Sequence, residues 1–324
     1  MTKRILICLL TLCFMLGIVA CGNHQGTPKT PVQTDPSNPS QATSSPLLYK
    51  VTDTQGNTVW LFGSIHVGQD SFYPLPDYVM DAYNGADALA VEFDIVSYQQ
   101  DMPAMIKDLQ SMIYLDGTTI KDHIPQDLYD QCVEILQQNN SYNIMLDYYC
   151  PSFWSQTIDQ LIMMQNGINM DLGIDLHFLN LAHEEGKTIL DIESASFQYK
   201  MLAGFSDELQ VMLLQESVDS YAEPEEYIQS VTEMMDIWQC GNESAFAAMI
   251  STDYDPLTEE EQLLFDEYNN AMTTQRNINM ADFAEDALVN GQELFICVGA
   301  AHVIGEGGMA DLLAQRGYTV EVVQ

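Results

Sequence analysis

Two short apolar runs, one near each end of the chain, are each followed by the pattern Gly-x-x-His. The first runs from Val59 to Gly63 and leads to His66; the second runs from Leu294 to Gly299 and leads to His302. A buried strand that ends at a glycine and then presents an imidazole places that group at the edge of a sheet. Because the two runs are so far apart in sequence, a sheet that contains both is built from both ends of the chain.

The other strands follow from similar runs. The segment Leu47–Thr52 is predicted to pair with the first run as a hairpin, with Gln55, Gly56 and Asn57 in the turn. Further strands are predicted at Ala88–Asp94, Thr188–Ile192 and Tyr318–Val323. Their largely continuous apolar character is typical of strands covered on both faces by helices.

Most of the remaining chain has helical spacing of its apolar residues. A short helix is predicted over Pro76–Asn84, and the long acidic stretches Gln99–Glu184 and Phe197–Asn290 are predicted to be helical. The expected fold class is α/β: a central mixed, mostly parallel sheet built from both chain ends, with large helical insertions.

The N-terminus is predicted to direct export. Residues 1–21 have a charged start and an apolar centre, which is typical of a signal peptide. The small residue Ala20 before Cys21 resembles a bacterial lipobox, so Cys21 is expected to carry lipid and to anchor the protein to a membrane. The alternatives are an ordinary cleaved signal peptide and a short N-terminal anchor.

Residues 22–46 are rich in Ser, Thr, Pro, Gln and Asn, a composition that predicts a disordered tether. Residues 47–324 form the predicted folded domain.

The charge of the chain limits its partners. It has 47 acidic and 10 basic residues and a formal net charge of −37, which disfavours nucleic acid. An anionic membrane surface would repel the domain too, which makes a lipid anchor with a spacer a sensible way to hold an extracytoplasmic domain at the membrane.

The cysteines of the predicted domain have no Cys-x-x-Cys spacing, which argues against a zinc–thiolate cluster. They are Cys132, Cys150, Cys240 and Cys297. Export permits disulfides, but we expect these cysteines to be buried and free.

A third residue completes the candidate site. Glu92 follows the apolar run that begins at Ala88, where a carboxylate needs a hydrogen bond, a counter-charge or a metal. Two imidazoles and one carboxylate, from His66, His302 and Glu92, would suit a divalent transition metal with open positions for water. A metal of this kind lowers the pKa of bound water towards ~7 and so prepares it for hydrolysis. The alternative is that the two histidines are core or capping residues and that Glu92 faces water.

Several residues are secondary candidates. Asp175 lies on a predicted helix, Glu193 follows the strand ending at Ile192, and Arg276 is one of few cations in the chain. Arg276 is either a clamp for a substrate carboxylate or oxyanion or one half of a surface ion pair. The glycines after His302 precede a helix whose start could offer N–H groups to an anion.

His123, His177 and His183 are expected to be structural or exposed. The motifs of HExxH metalloproteases, P-loop nucleotide-binding proteins, GxSxG hydrolases and dinucleotide-binding proteins do not occur in the sequence.

The order of these short motifs resembles the TraB/GumN family over about residues 47–324. The matching residues are Gly63-Ser64-Ile65-His66, Glu92, Gly173-Ile174-Asp175, Glu193 with Gln198, Arg276-Asn277, and Gly299-Ala300-Ala301-His302 through Gly308. The family is related to the Tiki proteins, which are membrane-tethered metalloproteases that use manganese or cobalt. It is also distantly similar to erythromycin-esterase-like and haem-uptake ChaN-like proteins.

The resemblance implies an α/β sheet on which both Gly-x-x-His motifs converge, with His66, Glu92 and His302 as metal or catalytic residues. Asp175 and Arg276 are further expected site residues. His177 stands where the family often has an aromatic residue, so it is not expected to be a ligand.

The leading hypothesis is a lipid-anchored, extracytoplasmic, metal-dependent hydrolase, a peptidase, that uses Mn, Co or Zn on a peptide or small-molecule substrate. The alternatives are a metal-free hydrolase, in which Glu92 orients a histidine base, and a non-catalytic ligand-binding or signalling protein.

Overall fold

A six-stranded sheet forms the centre of the protein. The structure is a computed structural model that describes residues 44–251 and 258–324, so the predicted signal peptide, Cys21 and nearly all of the tether lie outside the described residues. The strand order is β4-β3-β5-β2-β1-β6. The strands are β1 (Leu48–Thr52), β2 (Thr58–Ser64), β3 (Ala88–Val91), β4 (Thr188–Asp191), β5 (Leu294–Gly299) and β6 (Thr319–Val323).

Three neighbouring strands of the sheet, β3, β5 and β2, are parallel to one another. Ser64 at the end of β2 pairs with Gly299 at the end of β5, and Val91 at the end of β3 pairs with Cys297. All of β3 and nearly all of β5 are buried, as expected for parallel strands covered on both faces. The predicted α/β sheet built from both chain ends is confirmed, and the neighbouring carboxyl ends of these strands give its polar residues a common location.

The other strands differ from these three. β1 pairs antiparallel with both β2 and β6, and the predicted hairpin has Val51 opposite Val59. The edge strands β4 and β6 are largely exposed or half-buried, so the expectation of coverage on both faces does not extend to them. β3 is shorter than predicted and ends at Val91, so that Glu92 is the first residue beyond the strand.

Helices follow and cover the sheet, as predicted. They are α1 (Asp77–Gly85), α2 (Ile95–Tyr98), α3 (Met102–Leu109), α4 (Gln126–Gln138), α5 (Pro151–Gln165), α6 (Ile174–Glu185), α7 (Ala195–Ala203), α8 (Asp207–Ala222), α9 (Pro224–Gln239), α10 (Glu243–Ile250), α11 (Glu259–Asn269), α12 (Gln275–Val289), α13 (Ala300–Val303) and α14 (Met309–Gln315). A π-helical turn, Asn270–Thr274, joins α11 to α12.

Local sequence signals set several helix ends. Pro151 begins α5, where a missing N–H leaves no helical hydrogen bond unmade. The Ser206 hydroxyl accepts a hydrogen bond from the backbone of Leu209 at the start of α8. α6 ends at Gly186, whose φ of 70° suits glycine, and β4 follows directly.

One hydrophobic core joins the sheet to the helical insertions. The four described cysteines are free thiols, as expected. Cys132, Cys150 and Cys297 are buried, but Cys240 is exposed, so the expectation of burial is wrong for that residue. No helix among residues 44–251 and 258–324 has the length and apolar character needed to cross a membrane.

Candidate functional site

The two Gly-x-x-His motifs lie at the same end of adjacent parallel strands. β2 ends two residues before His66, and β5 ends three residues before His302, which lies on the single-turn helix α13. A Cβ atom on Gly63 would be 2.8 Å from the Cα of Ala300. Glycine at this position therefore lets β2 approach the turn that carries the second histidine.

Glu92 connects the second of these motifs to helices α7 and α12. Its Oε1 accepts a hydrogen bond from the backbone N–H of Gly299 at 3.0 Å. Its Oε2 accepts from Arg276 Nη2 at 2.6 Å and from Gln198 Nε2 at 3.0 Å. The carboxylate is only 8% exposed, and these donors compensate its burial.

Arg276 is the internal counter-charge of this cluster. Its Nε and Nη2 atoms donate to the two carboxylate oxygens of Glu193 at 2.8 and 2.9 Å, and Nη2 also reaches Glu92. Its Nη1 donates to the carbonyl oxygen of Met272, within the π-helical turn. Arg276 is 3% exposed. The interpretation of Arg276 as one half of a surface ion pair is therefore corrected, because both of its ion pairs are buried. Its role as a clamp for a substrate stays a prediction.

The pKa of Glu92 is held well below its usual range. Burial raises the pKa, but the charges of Arg276, His302 and His66 and the Gly299 N–H together lower it by more. Glu92 is therefore a carboxylate, with its Oε1 3.8 Å from His302 Nε2. That distance is too long for a hydrogen bond.

His302 is held in one orientation by Asn277. The Nδ1 atom of His302 lies 2.7 Å from Asn277 Oδ1, while Asn277 Nδ2 donates to the carbonyl oxygen of Gly307. Because the amide oxygen faces the ring, Nδ1 carries the proton and Nε2 carries the lone pair. Burial and the charge of Arg276 lower the pKa of His302 to about 3, against an opposing contribution from Glu92. The imidazole is neutral at pH 7.

His66 is held by Asp175 in a similar way. Its Nδ1 atom lies 2.9 Å from Asp175 Oδ2, so the Nε2 atom of the ring is not part of this contact. Asp175 lies in the first turn of α6, as predicted for a helical position. His66 lies close enough to Glu92 and His302 to contribute electrostatically to the lowered pKa of both. The structure thus places His66, Glu92 and His302 in one region and brings Asp175 and Arg276 to them.

Gly299 lies between the carboxylate and the second imidazole. A Cβ atom on Gly299 would lie 3.3 Å from Glu92 Oε1 and 3.4 Å from His302 Cδ2. A methyl group would therefore occupy the space between these two groups. Glycine here keeps Oε1 and Nε2 accessible to a common ligand.

The donor types suit a divalent transition metal. Metal-binding histidines commonly donate their second ring N–H to an oxygen acceptor, and both His66 and His302 do so. The side chains are not preassembled as a complete ligand set: across residues 44–251 and 258–324, no group of three His, Cys, Asp or Glu residues is close enough to hold a metal ion. The predicted metal set therefore fits by chemistry and stays a prediction.

Two N–H groups of the glycine-rich segment after His302 are bonded within the segment and its following helix. The Gly307 N–H donates to Asp311 Oδ2 at 2.8 Å, and the Gly308 N–H donates to the Gly305 carbonyl oxygen. Asp311, in the first turn of α14, thus takes one of these donors, and the anion-binding helix start stays a prediction.

The other histidines that the structure describes are outside this site. His177 packs on the ring of Tyr73, with 4.8 Å between centroids. His123 stacks on Tyr114, and His183 contacts Asp94 from an exposed position. These are the structural or exposed positions expected from the sequence.

Two polar residues of the site had no predicted role. Asn277 and Gln198 belong to the motifs that carry the family resemblance, but neither lies at a strand end, the signal that identified the histidines and Glu92. Asn277 lies on α12 and Gln198 on α7. The spacing of apolar residues predicts these helices but does not predict where they pack on the sheet.

The fold and site define an α/β domain whose polar cluster lies where its central parallel strands end. The chain belongs to the TraB/PrgY/gumN family, whose model matches residues 47–322. The predicted resemblance is therefore confirmed.

Two curated relatives extend this comparison. The chain is 25% identical over 254 residues to the uncharacterized protein YbaP of Escherichia coli (strain K12), an alignment that covers 78% of this chain and 86% of that protein. The YbaP protein of Shigella flexneri matches with the same identity and coverage. No solved structure matches the chain.

Proposed function

We propose that this protein is an extracytoplasmic, metal-dependent hydrolase that acts on a peptide or small-molecule substrate. The observation that carries the proposal is the pair of imidazoles, each with Nδ1 bonded to an oxygen acceptor, beside the buried carboxylate of Glu92. Membership of the TraB/PrgY/gumN family supports an α/β domain but assigns no activity.

His66, His302 and Glu92 would hold the metal, for which Mn, Co and Zn are the candidates. Such an ion supplies Lewis-acid polarisation and lowers the pKa of bound water towards ~7. Asp175 and Asn277 keep the two imidazoles in the tautomer whose Nε2 atom binds metal. Arg276 holds Glu92 ionised and fixed in place.

Cys21 would carry the lipid that attaches the protein to the outer face of a membrane. The lipobox-like sequence at Cys21 and the polar composition of residues 22–46 support this part of the proposal. Anionic lipids repel so acidic a chain, whose net charge is −37, so a tether keeps the site away from the surface.

A metal-free hydrolase is the second candidate. The 2.9 Å contact between His66 Nδ1 and Asp175 Oδ2 favours it, because a carboxylate in this place stabilises an imidazolium and orients a general base. Asp175, rather than Glu92, would be the orienting group. A ligand-binding protein without turnover, the third possibility from the sequence, has no contact that favours it over these two.

Metal binding by the isolated domain tests the proposal. Residues 44–324, which contain the whole described core, should gain thermal stability with Mn²⁺, Co²⁺ or Zn²⁺. His66→Ala and His302→Ala should abolish that gain, whereas His183→Ala, an exposed histidine, should retain it. Metal content after purification gives a second readout.

Turnover separates the candidates. Hydrolysis of a peptide and ester panel that stops in chelator and returns with metal supports the proposal. Hydrolysis that persists in chelator and is lost in Asp175→Asn would favour the metal-free candidate. No metal response and no turnover would leave a ligand-binding protein.

A further inference from the structure

A small polar cavity lies in the helical insertion, apart from the histidine site. It is enclosed by α5, α7, α8 and the turn that joins the last two. Its lining residues are Ser152, Ser155, Gln156, Asp159, Leu202, Phe205, Leu213 and Ser217. None of them contributes to the cluster around Glu92, and the sequence analysis assigned none of them a role.

Two side chains of this cavity are buried without satisfying their polar atoms. Asp159 is 2% exposed, and within the described residues its Oδ1 atom has no hydrogen-bond partner. Gln156 is 7% exposed, and neither atom of its amide has a partner in that part of the chain. Buried polar atoms are nearly always paired in native proteins, so this concentration of unpaired atoms points to a bound species.

The neighbouring polar groups of the same helices show that the packing here is otherwise satisfied. The Ser152 hydroxyl is 2.9 Å from the Leu202 carbonyl oxygen and 3.0 Å from Gln210 Oε1, and Gln210 Nε2 donates to the Phe205 carbonyl oxygen. The unpaired atoms are thus confined to Asp159 and Gln156, one turn apart on α5.

The hydroxyl oxygens around the cavity can act as acceptors or as metal ligands. Ser155 donates its hydroxyl hydrogen to the Pro151 carbonyl oxygen at 3.1 Å, so its oxygen can act as an acceptor. The Ser217 hydroxyl lies 3.2 Å from the Leu213 carbonyl oxygen and close to the Asp159 carboxyl group. The cavity therefore combines a carboxylate oxygen, an amide oxygen and hydroxyl oxygens.

The Asp159 carboxyl group has no counter-charge in the cavity lining. The lining contains one acidic residue, Asp159, and no Lys, Arg or His. Burial accordingly raises the pKa of Asp159 to about 7, although the Ser217 hydroxyl lowers it in part. A buried carboxylate is stable when a counter-charge reaches it, and hard oxygen donors suit hard cations.

From these contacts we propose that this cavity binds one monovalent alkali cation, Na⁺ or K⁺, through Asp159, Gln156, Ser155 and Ser217. A single carboxylate balances a single positive charge, which favours a monovalent over a divalent ion. The narrow space suits a species about the size of a water molecule and excludes an organic ligand. Bound there, the ion joins α5 to α8 and stabilises the helical insertion.

Thermal unfolding at matched ionic strength tests the proposal. The domain of residues 44–324 is heated at pH 8 in NaCl, KCl or choline chloride. NaCl or KCl should raise the unfolding midpoint by roughly 2–4 °C over choline chloride, with saturation as the salt concentration increases. Asp159→Asn should abolish the difference between salts, whereas Asp219→Asn, an exposed change of the same charge on α8, should keep it.

Direct binding by the wild-type domain needs no variant. The ²³Na resonance should broaden with added protein and sharpen again when K⁺ competes. Equal midpoints in all three salts, with no ²³Na broadening, would overturn the proposal and leave an ordered water as the occupant. Because the proposal does not depend on hydrolase activity, loss of metal binding at His66 and His302 would not affect it.

Discussion

His302 Nδ1 lies 2.7 Å from Asn277 Oδ1, and the amide nitrogen of the same asparagine is held by the Gly307 carbonyl oxygen. Two bonds therefore determine which way the amide faces, and the amide determines which ring nitrogen carries the proton. Removal of the amide should release the imidazole from that tautomer. For Asn277→Leu we expect mixed tautomers in ¹⁵N NMR spectra of His302 and metal affinity lower by roughly 10–100-fold.

Asn279→Leu is the matched control for this change. Asn279 lies on the same helix α12 but is exposed. It should leave both the tautomer and the metal affinity unchanged. A single Nδ1–H tautomer in Asn277→Leu would show that the ring is held by other contacts.

Arg276 should contribute strongly to stability, because it pairs with two buried carboxylates. In Arg276→Met, Glu92 and Glu193 lose their counter-charge, and we expect the free energy of unfolding to fall by about 3–5 kcal/mol. Urea unfolding at pH 7 measures the change. Arg316→Met is the comparison, since Arg316 pairs with Asp282 and Glu285 at the surface, where each pair is worth about 1 kcal/mol or less.

A second variant separates the charge from the packing. Adding Glu193→Gln to Arg276→Met removes one of the two unpaired charges and should recover part of the lost stability. Equal stability of the single and double variants would mean that the loss comes from the cavity left by the guanidinium.

Gly299→Ala should block the site while leaving the fold intact. The added methyl group would lie 3.3 Å from Glu92 Oε1, between that oxygen and the His302 ring. We expect metal binding and any hydrolysis to fall by at least about 10-fold, as for other losses of ligand geometry. Gly85→Ala, where a Cβ meets nothing within 4 Å, should leave both unchanged. Wild-type metal affinity in Gly299→Ala would show that the ligand does not lie between these groups.

The central sheet and the convergence of the two histidine motifs could be predicted because each signal is local. An apolar run that ends at a glycine indicates a buried strand, and two such runs at Gly63 and Gly299 become neighbours when the strands are parallel. Glu92 could be predicted in the same way, because it follows the apolar run that forms β3. The exposed edge strands were less predictable, since burial depends on neighbours that β4 and β6 lack on one side.

The environment of Arg276 could not be predicted in this way. Its partners Glu193 and Glu92 are 83 and 184 residues away in sequence, so their meeting depends on how α12 packs over the ends of the strands. The same holds for Gly307, whose N–H is bonded to Asp311. The loop sequence shows the glycines but does not show which acceptor takes each donor.

His177 should make the domain less stable in mild acid. Burial lowers its pKa below the usual 6.5, against a smaller opposing effect of Glu184, while it packs on Tyr73. The folded state therefore binds fewer protons than the unfolded state below about pH 6.5, and the contribution of this residue to stability is lost as the pH falls through that range. This contribution is fully present above pH 6.5, where His177 is neutral in both the folded and the unfolded state.

His177→Phe keeps an aromatic ring against Tyr73 and removes the proton-binding group. We expect urea unfolding to show a smaller loss of stability between pH 7.5 and pH 5 in this variant than in the wild type. His183→Phe, at an exposed position, provides the comparison for the loss of a histidine that is not buried. An identical pH slope in wild type and His177→Phe would mean that the folded protein protonates His177 as readily as the unfolded chain does.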